Sequence, residues 1–106
     1  MQKVVGAGLP QPTLAKASTD TSQSLEDLGI TYERGDGRKQ KTQFAVISVE
    51  TAAIRINLNG AATTAVGHLW QPGEAFVLEG LGECQYAEII SAAAGVHATL
   101  QITPEF

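Results

Sequence analysis

Cysteine, aromatic residues and charges are all scarce in this chain of 106 residues. Charged residues make up 17% and aromatic residues 6% of the total. Cys84 is the only cysteine, so a scaffold of intramolecular disulfides is excluded. No apolar run approaches the roughly 20 residues that a membrane-spanning helix needs, so we expect no membrane partner. What remains is a small globular chain with enough residues for one hydrophobic core.

The net charge of −4 is unevenly distributed. Residues 1–41 carry six cations against five acids, whereas residues 42–106 carry only Arg55 against six acids. An acidic body disfavours nucleic-acid binding, which needs a basic surface, so we expect no nucleic-acid partner. The one basic stretch comprises Arg34, Arg38, Lys39 and Lys41. It is either a solvated loop or a patch that docks on an acidic surface.

From Gln43 onward the sequence changes to a period of two, which is typical of β-strands. The predicted strands are 43–49, 54–58, 75–79, 86–91 and 96–103, and the first of them is apolar on both faces, as in a central strand. Turn signals separate them, including Asn59-Gly60 and a type II turn centred on Pro72-Gly73. The sequence therefore predicts an all-β fold, an antiparallel β-sandwich or jelly roll.

The segment before the alternating region is different in character. Residues 1–21 contain two prolines and a polar run, and we predict an extended N-terminal arm there, with a single sandwich domain over 22–106. One short helix, of one or two turns, is predicted within 22–29. Ser22 or Ser24 would cap its N-terminus, and Gly29 stands at the position of a C-cap.

The titratable residues form no recognisable catalytic or metal-binding motif. His68, Cys84 and His97 lie at none of the usual metal-ligand spacings. The carboxylate of Glu83 raises the pKa of its neighbour Cys84, which disfavours a thiolate nucleophile. Residues 4–8 resemble the start of a dinucleotide fingerprint, but the third glycine is missing. We therefore expect no cofactor, no metal and no enzymatic activity.

Trp70 is the only tryptophan, and it lies between His68 and the Pro72 turn. It either covers one end of the sandwich or anchors an interface, because tryptophan brings a large contact area at low entropic cost. The candidate interface residues are Arg34, Arg38, Lys39, Lys41, His68 and Trp70.

Four segments, taken in order, resemble small bacteriophage virion proteins of the head-decoration or tail-accessory kind. They are "QSLEDLG" (Gln23–Gly29), "AAIRINLNG" (Ala52–Gly60), "AATTAVGHLWQPGEAFVLEG" (Ala61–Gly80) and "HATLQITPEF" (His97–Phe106). The resemblance covers most of residues 20–106, and its elements are short.

This resemblance implies a non-enzymatic virion protein, assembled in the host cytoplasm, that decorates and cements the lattice of the major capsid protein, typically as a homotrimer. A tail or neck accessory protein is an alternative within the same resemblance. From another class comes a small carbohydrate-binding module, in which Trp70 and Tyr86 would be the stacking platforms. Asn57, Asn59 and Gln71 would supply its polar contacts.

Overall fold

The computed structural model describes residues 12–33, 39–40 and 42–106. Within them the chain forms ten strands and one helix. In chain order these are β1 (Leu14–Ala17), β2 (Gln23–Ser24), β3 (Tyr32–Glu33), β4 (Lys39–Gln40), β5 (Phe44–Glu50), β6 (Ile54–Asn57), β7 (His68–Trp70), β8 (Ala75–Glu79), α1 (Gly80–Tyr86), β9 (Glu88–Ser91) and β10 (Thr99–Glu105).

The strands form two four-stranded antiparallel sheets, and β3 pairs with β4 separately. The first sheet has the order β1-β10-β5-β8 and the second the order β2-β9-β6-β7. Strands at corresponding positions in the two sheets are consecutive in the chain, such as β5 with β6 and β8 with β7. This is the strand order of a jelly roll, so the predicted all-β antiparallel sandwich is confirmed.

The core lies between the two sheets and is built by the alternation that the sequence displays. On β5, Ile47 and Val49 are at most 1% exposed, and on β6 the same holds for Ile54. β5 pairs with β10 on one side and with β8 on the other, so it is a central strand. Leu100 and Ile102 of β10 complete this apolar layer, each 0% exposed.

The helix predicted within 22–29 is absent, because its two capping signals close on a single turn. The Ser24 N–H donates to Asp27 Oδ2 at 3.0 Å, and the Asp27 N–H donates to Ser24 Oγ at 3.2 Å, which is a capping box. The Ile30 N–H already reaches the Leu25 carbonyl at 2.9 Å, with Gly29 at φ 84°. This Schellman-type ending stops the helix as it begins.

The one helix of the described residues is α1, in a segment for which the sequence predicts no helix. Gly80 and Gly82, which belong to it, are poor helix formers. Cys84, 3% exposed, faces the core from this helix. Burial of that one side chain favours a short helix whose local sequence disfavours it.

The second half of the predicted N-terminal arm belongs to the sandwich. β1 pairs with β10 in the register Leu14 to Ile102, and it forms one edge of the first sheet. Ser18, directly after β1, is 2% exposed and donates its N–H to the Ala98 carbonyl at 2.9 Å. Residues 1–11 lie outside the described part of the chain, and for them the arm stays a prediction.

Candidate functional site

An open groove of about 290 Å³ lies between the last strands of the two sheets, β7 and β8. Its lining is apolar except for one imidazole and one carboxylate. The lining residues are Ile56, Leu58, His68, Trp70, Phe76, Val77, Leu78 and Glu83. The two edge strands are thus joined at one end and leave part of the sandwich interior accessible from the side.

The pairing of β7 with β6 aims two of the sequence-predicted interface residues into this groove. His68 lies opposite Ile56, and Trp70 lies opposite Ile54, so both share the inner face of the second sheet. Leu69, between them, points to the outer face and is 43% exposed. The sequence analysis grouped His68 with Trp70, and the structure places both along one wall.

The opposite wall comes from β8, where alternation again decides which side chains face inward. Phe76 lies opposite Ile47, and Leu78 lies opposite Ala45, so both share the buried face of β5. Leu78 is 1% exposed, whereas Val77, on the other face, is 40% exposed. The strand was predicted with these bounds, but its role as a wall of a groove was not.

Trp70 and Phe76 close one end of the groove. Their rings stack with centroids 4.9 Å apart and planes inclined by 27°. Both side chains are half-buried and pack against the core cluster. Trp70 therefore covers the end of the sandwich and also lines the open groove, and its role as an interface anchor stays a prediction.

The turn between β7 and β8 fixes the separation of the walls. The Glu74 N–H donates to the Gln71 carbonyl at 3.1 Å, and Gly73 has φ 91°, as the predicted type II turn requires. The Glu74 carboxylate accepts the Gln71 N–H at 2.6 Å and ties the turn further. The Pro72-Gly73 signal was sufficient to predict this turn.

The groove and its surroundings are electronegative. Glu83 lines it, with Oε1 accepting the Glu79 N–H at 3.3 Å. Residues 42–106 are all described, and they contain six carboxylates but only one lysine or arginine, which is Arg55. The Arg55 guanidinium donates to the carbonyls of Thr64 and Gly67, at 3.0 and 2.9 Å, away from the groove. No cation lines the groove in the described part of the chain.

The other predicted site residues lie elsewhere. Lys39 is in β4, while Arg34, Arg38 and Lys41 lie outside the described residues, so the basic docking patch stays a prediction. Tyr86, at the end of α1, is 55% exposed and does not line the groove beside Trp70. The two aromatic platforms of the carbohydrate-binding alternative therefore do not share this groove.

The environment of Cys84 disfavours a reactive thiolate. Burial, and to a lesser extent the charge of Glu83, together raise the pKa of its thiol to about 12. The thiol donates to the Leu78 carbonyl at 3.6 Å. A thiol held neutral and 3% exposed is not a nucleophile at neutral pH.

A serine and a histidine approach each other near the start of β10. Ser91 Oγ lies 2.9 Å from His97 Nδ1 and 2.7 Å from Ser18 Oγ, and the Ala98 N–H donates to Ser18 Oγ at 2.8 Å. The distance suits a nucleophile and its base. Ser91 is 1% exposed, however, so no substrate reaches its hydroxyl. The chain of hydrogen bonds instead ties β1 and β9 to the loop before β10.

No group of three or more His, Cys, Asp or Glu side chains in the described part of the chain is placed to hold a metal ion. No helix found there has both the length and the apolar character to cross a bilayer. Comparison with known proteins finds no family model, no curated protein and no solved structure that matches this chain.

Proposed function

We propose that this chain is a non-enzymatic structural protein of a bacteriophage virion, a decoration protein that binds and stabilises the lattice of the major capsid protein. The observation that carries the proposal is the open, apolar groove at the β7–β8 edge, which suits docking better than chemistry. The sequence segments that resemble phage virion proteins supply the identity of the partner.

The side chains of the groove favour binding over catalysis. A hydrolytic site needs an accessible nucleophile or a matched acid and base. Of the two nucleophile candidates considered, Cys84 is 3% exposed and Ser91 is 1% exposed. The groove offers Glu83 and His68 on mainly apolar walls, and apolar walls with few polar groups are typical of recognition sites.

Exposed apolar side chains at this edge support the proposal that it is an interface. Leu58 and Val77 line the groove and are 44% and 40% exposed. Leu81, in the first turn of the helix that follows β8, is 54% exposed. Isolated apolar side chains are common on protein surfaces, but several along one edge, beside a groove, mark a contact surface.

The jelly-roll order is compatible with this proposal and does not carry it. Jelly rolls build viral capsid and lectin domains, so the fold by itself suits both the virion role and the carbohydrate-binding alternative. Because Tyr86 lies outside the groove, the second aromatic platform of the alternative is missing there. We further propose that the protein acts as a homotrimer, whose solution mass would be three times 11.1 kDa.

The test uses capsids of the encoding phage that were assembled without this protein. Purified protein is added, the capsids are sedimented, and the amount of this protein in the pellet is measured relative to the capsid protein. We expect saturable binding at a fixed ratio to the capsid protein and a raised melting temperature of the capsid. Protein that stays in the supernatant would contradict the decoration role, and binding to isolated tails instead would transfer it to the tail.

A further inference from the structure

The hydrogen bonds between β8 and β5 determine which backbone groups of β8 point away from β5. The Gly80 N–H donates to the Gln43 carbonyl at 2.8 Å, and the Val49 N–H donates to the Glu74 carbonyl at 2.9 Å. In an antiparallel pair, the residues that exchange hydrogen bonds alternate along each strand. The even-numbered residues of this segment therefore bond to β5, and the odd-numbered ones direct their N–H and C=O groups away from it.

Three residues of β8 thus present backbone groups to the open side: Ala75, Val77 and Glu79. The Glu79 N–H confirms the direction, because it donates to the Glu83 carboxylate and not to β5. Ala75 and Val77 are exposed, and neither lysine nor proline interrupts the strand. Such an edge is a ready template for a further strand.

We propose that an extended segment of the partner adds to this edge as a fifth strand of the first sheet. This inference rests on the proposed function, since it takes the partner to be the capsid protein. A strand paired with β8 would share its pleat, so alternate side chains would enter the groove beside Phe76 and Leu78 and meet Trp70 and His68 across it. Backbone hydrogen bonds and filling of the groove would then act together.

The charge of the surface decides the chemistry of that segment. The groove is mainly apolar and carries Glu83 at its rim, and Glu79 ends the strand. Since residues 42–106 hold six acids and one cation, a segment with alternating apolar side chains and a lysine or arginine complements it. A second copy of β8 would bring a second pair of carboxylates, Glu79 and Glu83, to this edge, so the favoured occupant is a basic, apolar strand of another protein.

The first test blocks the edge without adding charge. Val77→Pro removes the outward N–H, yet leaves the bonds of the even-numbered residues to β5 in place, as suits proline on an edge strand. Val77→Thr is the matched control, because it keeps the N–H. We expect Val77→Thr to bind capsids like the wild type and Val77→Pro to bind at least about tenfold more weakly, with the far-ultraviolet circular dichroism of both unchanged.

The outcomes separate the two proposals. If the wild type and both variants bind equally, strand addition is overturned while the decoration role stands. If the wild type itself fails to bind capsids, the decoration role fails, and strand addition is decided with peptides.

The peptide test needs neither capsids nor variants. A hexapeptide of alternating valine and lysine is titrated into the wild-type protein, with a valine and glutamate hexapeptide as the control. We expect the lysine peptide alone to shift the amide resonances of Ala75 and Val77. No shift there with the lysine peptide, or equal shifts with both peptides, would overturn the proposal. Association of two protein copies through β8, seen as dimers that Val77→Pro abolishes, would also overturn it.

Discussion

The indole of Trp70 stacks on the phenyl ring of Phe76 and so ties the last strand of one sheet to the last strand of the other. Their ring centroids lie 4.9 Å apart, and the turn between them spans only residues 71–74. The sandwich is therefore closed at this end, and it opens along the rest of β7 and β8. The groove therefore lies where β7 and β8 separate beyond the Trp70–Phe76 contact.

Replacement of Trp70 tests how much the stacking contact with Phe76 contributes to stability. Trp70→Ala removes the stacking contact and part of the core cover, and we expect the free energy of unfolding to fall by about 1–3 kcal/mol, less than for a fully buried tryptophan. Trp70→Phe, which keeps an aromatic ring opposite Phe76, serves as the control. Urea unfolding followed by circular dichroism measures both. Equal stability of Trp70→Ala and the wild type would show that the stack holds nothing together.

Ile56 tests the phase of β6. The side chain is 2% exposed and belongs to the hydrophobic core cluster, so aspartate there would place a charge among mainly apolar side chains. We expect Ile56→Asp to be unfolded, a loss of more than about 3 kcal/mol. The control is Leu58→Asp, since Leu58 follows on the same segment but is 44% exposed. A folded Ile56→Asp protein would mean that the strand faces the other way.

The buried hydroxyls of Ser18 and Ser91 test how β1 is held. Ser91→Ala leaves Ser18 Oγ and His97 Nδ1 without their shared partner, and we expect a cost of about 1–3 kcal/mol, the usual penalty for an unsatisfied buried polar group. His97→Ala should cost less, because His97 is exposed and Ser91 keeps its bond to Ser18. Chemical unfolding of the two variants is compared. A larger loss for His97→Ala would contradict the proposed hydrogen-bond chain.

Cys84 links stability to alkaline pH. Burial raises the pKa of the thiol from 9.0 to about 12 in the folded chain, so the unfolded chain releases this proton at lower pH. The contribution of the thiol is therefore fully present below pH 9.0 and is lost progressively as pH rises toward about 12. We expect the urea midpoint to fall less steeply with pH in Cys84→Ala than in the wild type over this interval.

Thiol labelling gives an independent readout of the same site. At neutral pH, a disulfide reagent should modify Cys84 only at the rate at which the protein opens, and denaturant should make the reaction fast. Rapid labelling of the native protein would contradict the burial of the thiol and the raised pKa together.

The sequence predicted what depends on neighbouring residues and missed what depends on strand assembly. The Pro72-Gly73 turn and the glycine at position 80 were sufficient for the bounds of β8. Alternation was sufficient for the inner face of β6, where Ile54 and Ile56 are buried, because a period of two reports directly on burial. The capping signals of Ser24 and Gly29 were also real, yet they lie too close together for a helix to form between them. The helix at Gly80–Tyr86 forms although its two glycines disfavour it. Cys84 packs into the core from it, and the Glu83 carboxylate accepts the Glu79 N–H at its N-terminus.

Of the eight residues that line the groove, the sequence indicated only His68 and Trp70 as candidate interface residues. Phe76, Val77 and Glu83 line it because β7 and β8 are the last strands of their sheets. Strand order follows from contacts distant in the chain, which alternation does not encode. The exposure of Val77 likewise follows from the position of β8 at the end of its sheet and has no counterpart in the local sequence.

Hydrogen–deuterium exchange on the capsid-bound protein tests the central claim most directly. The protein is bound to capsids that lack it, exchanged in deuterated buffer, and compared with the free protein peptide by peptide. Docking through the open edge predicts slowed exchange within Ala75–Glu79, above all at the Val77 amide, and in neighbouring β7. Binding with unchanged exchange at both strands, and protection elsewhere, would contradict the account.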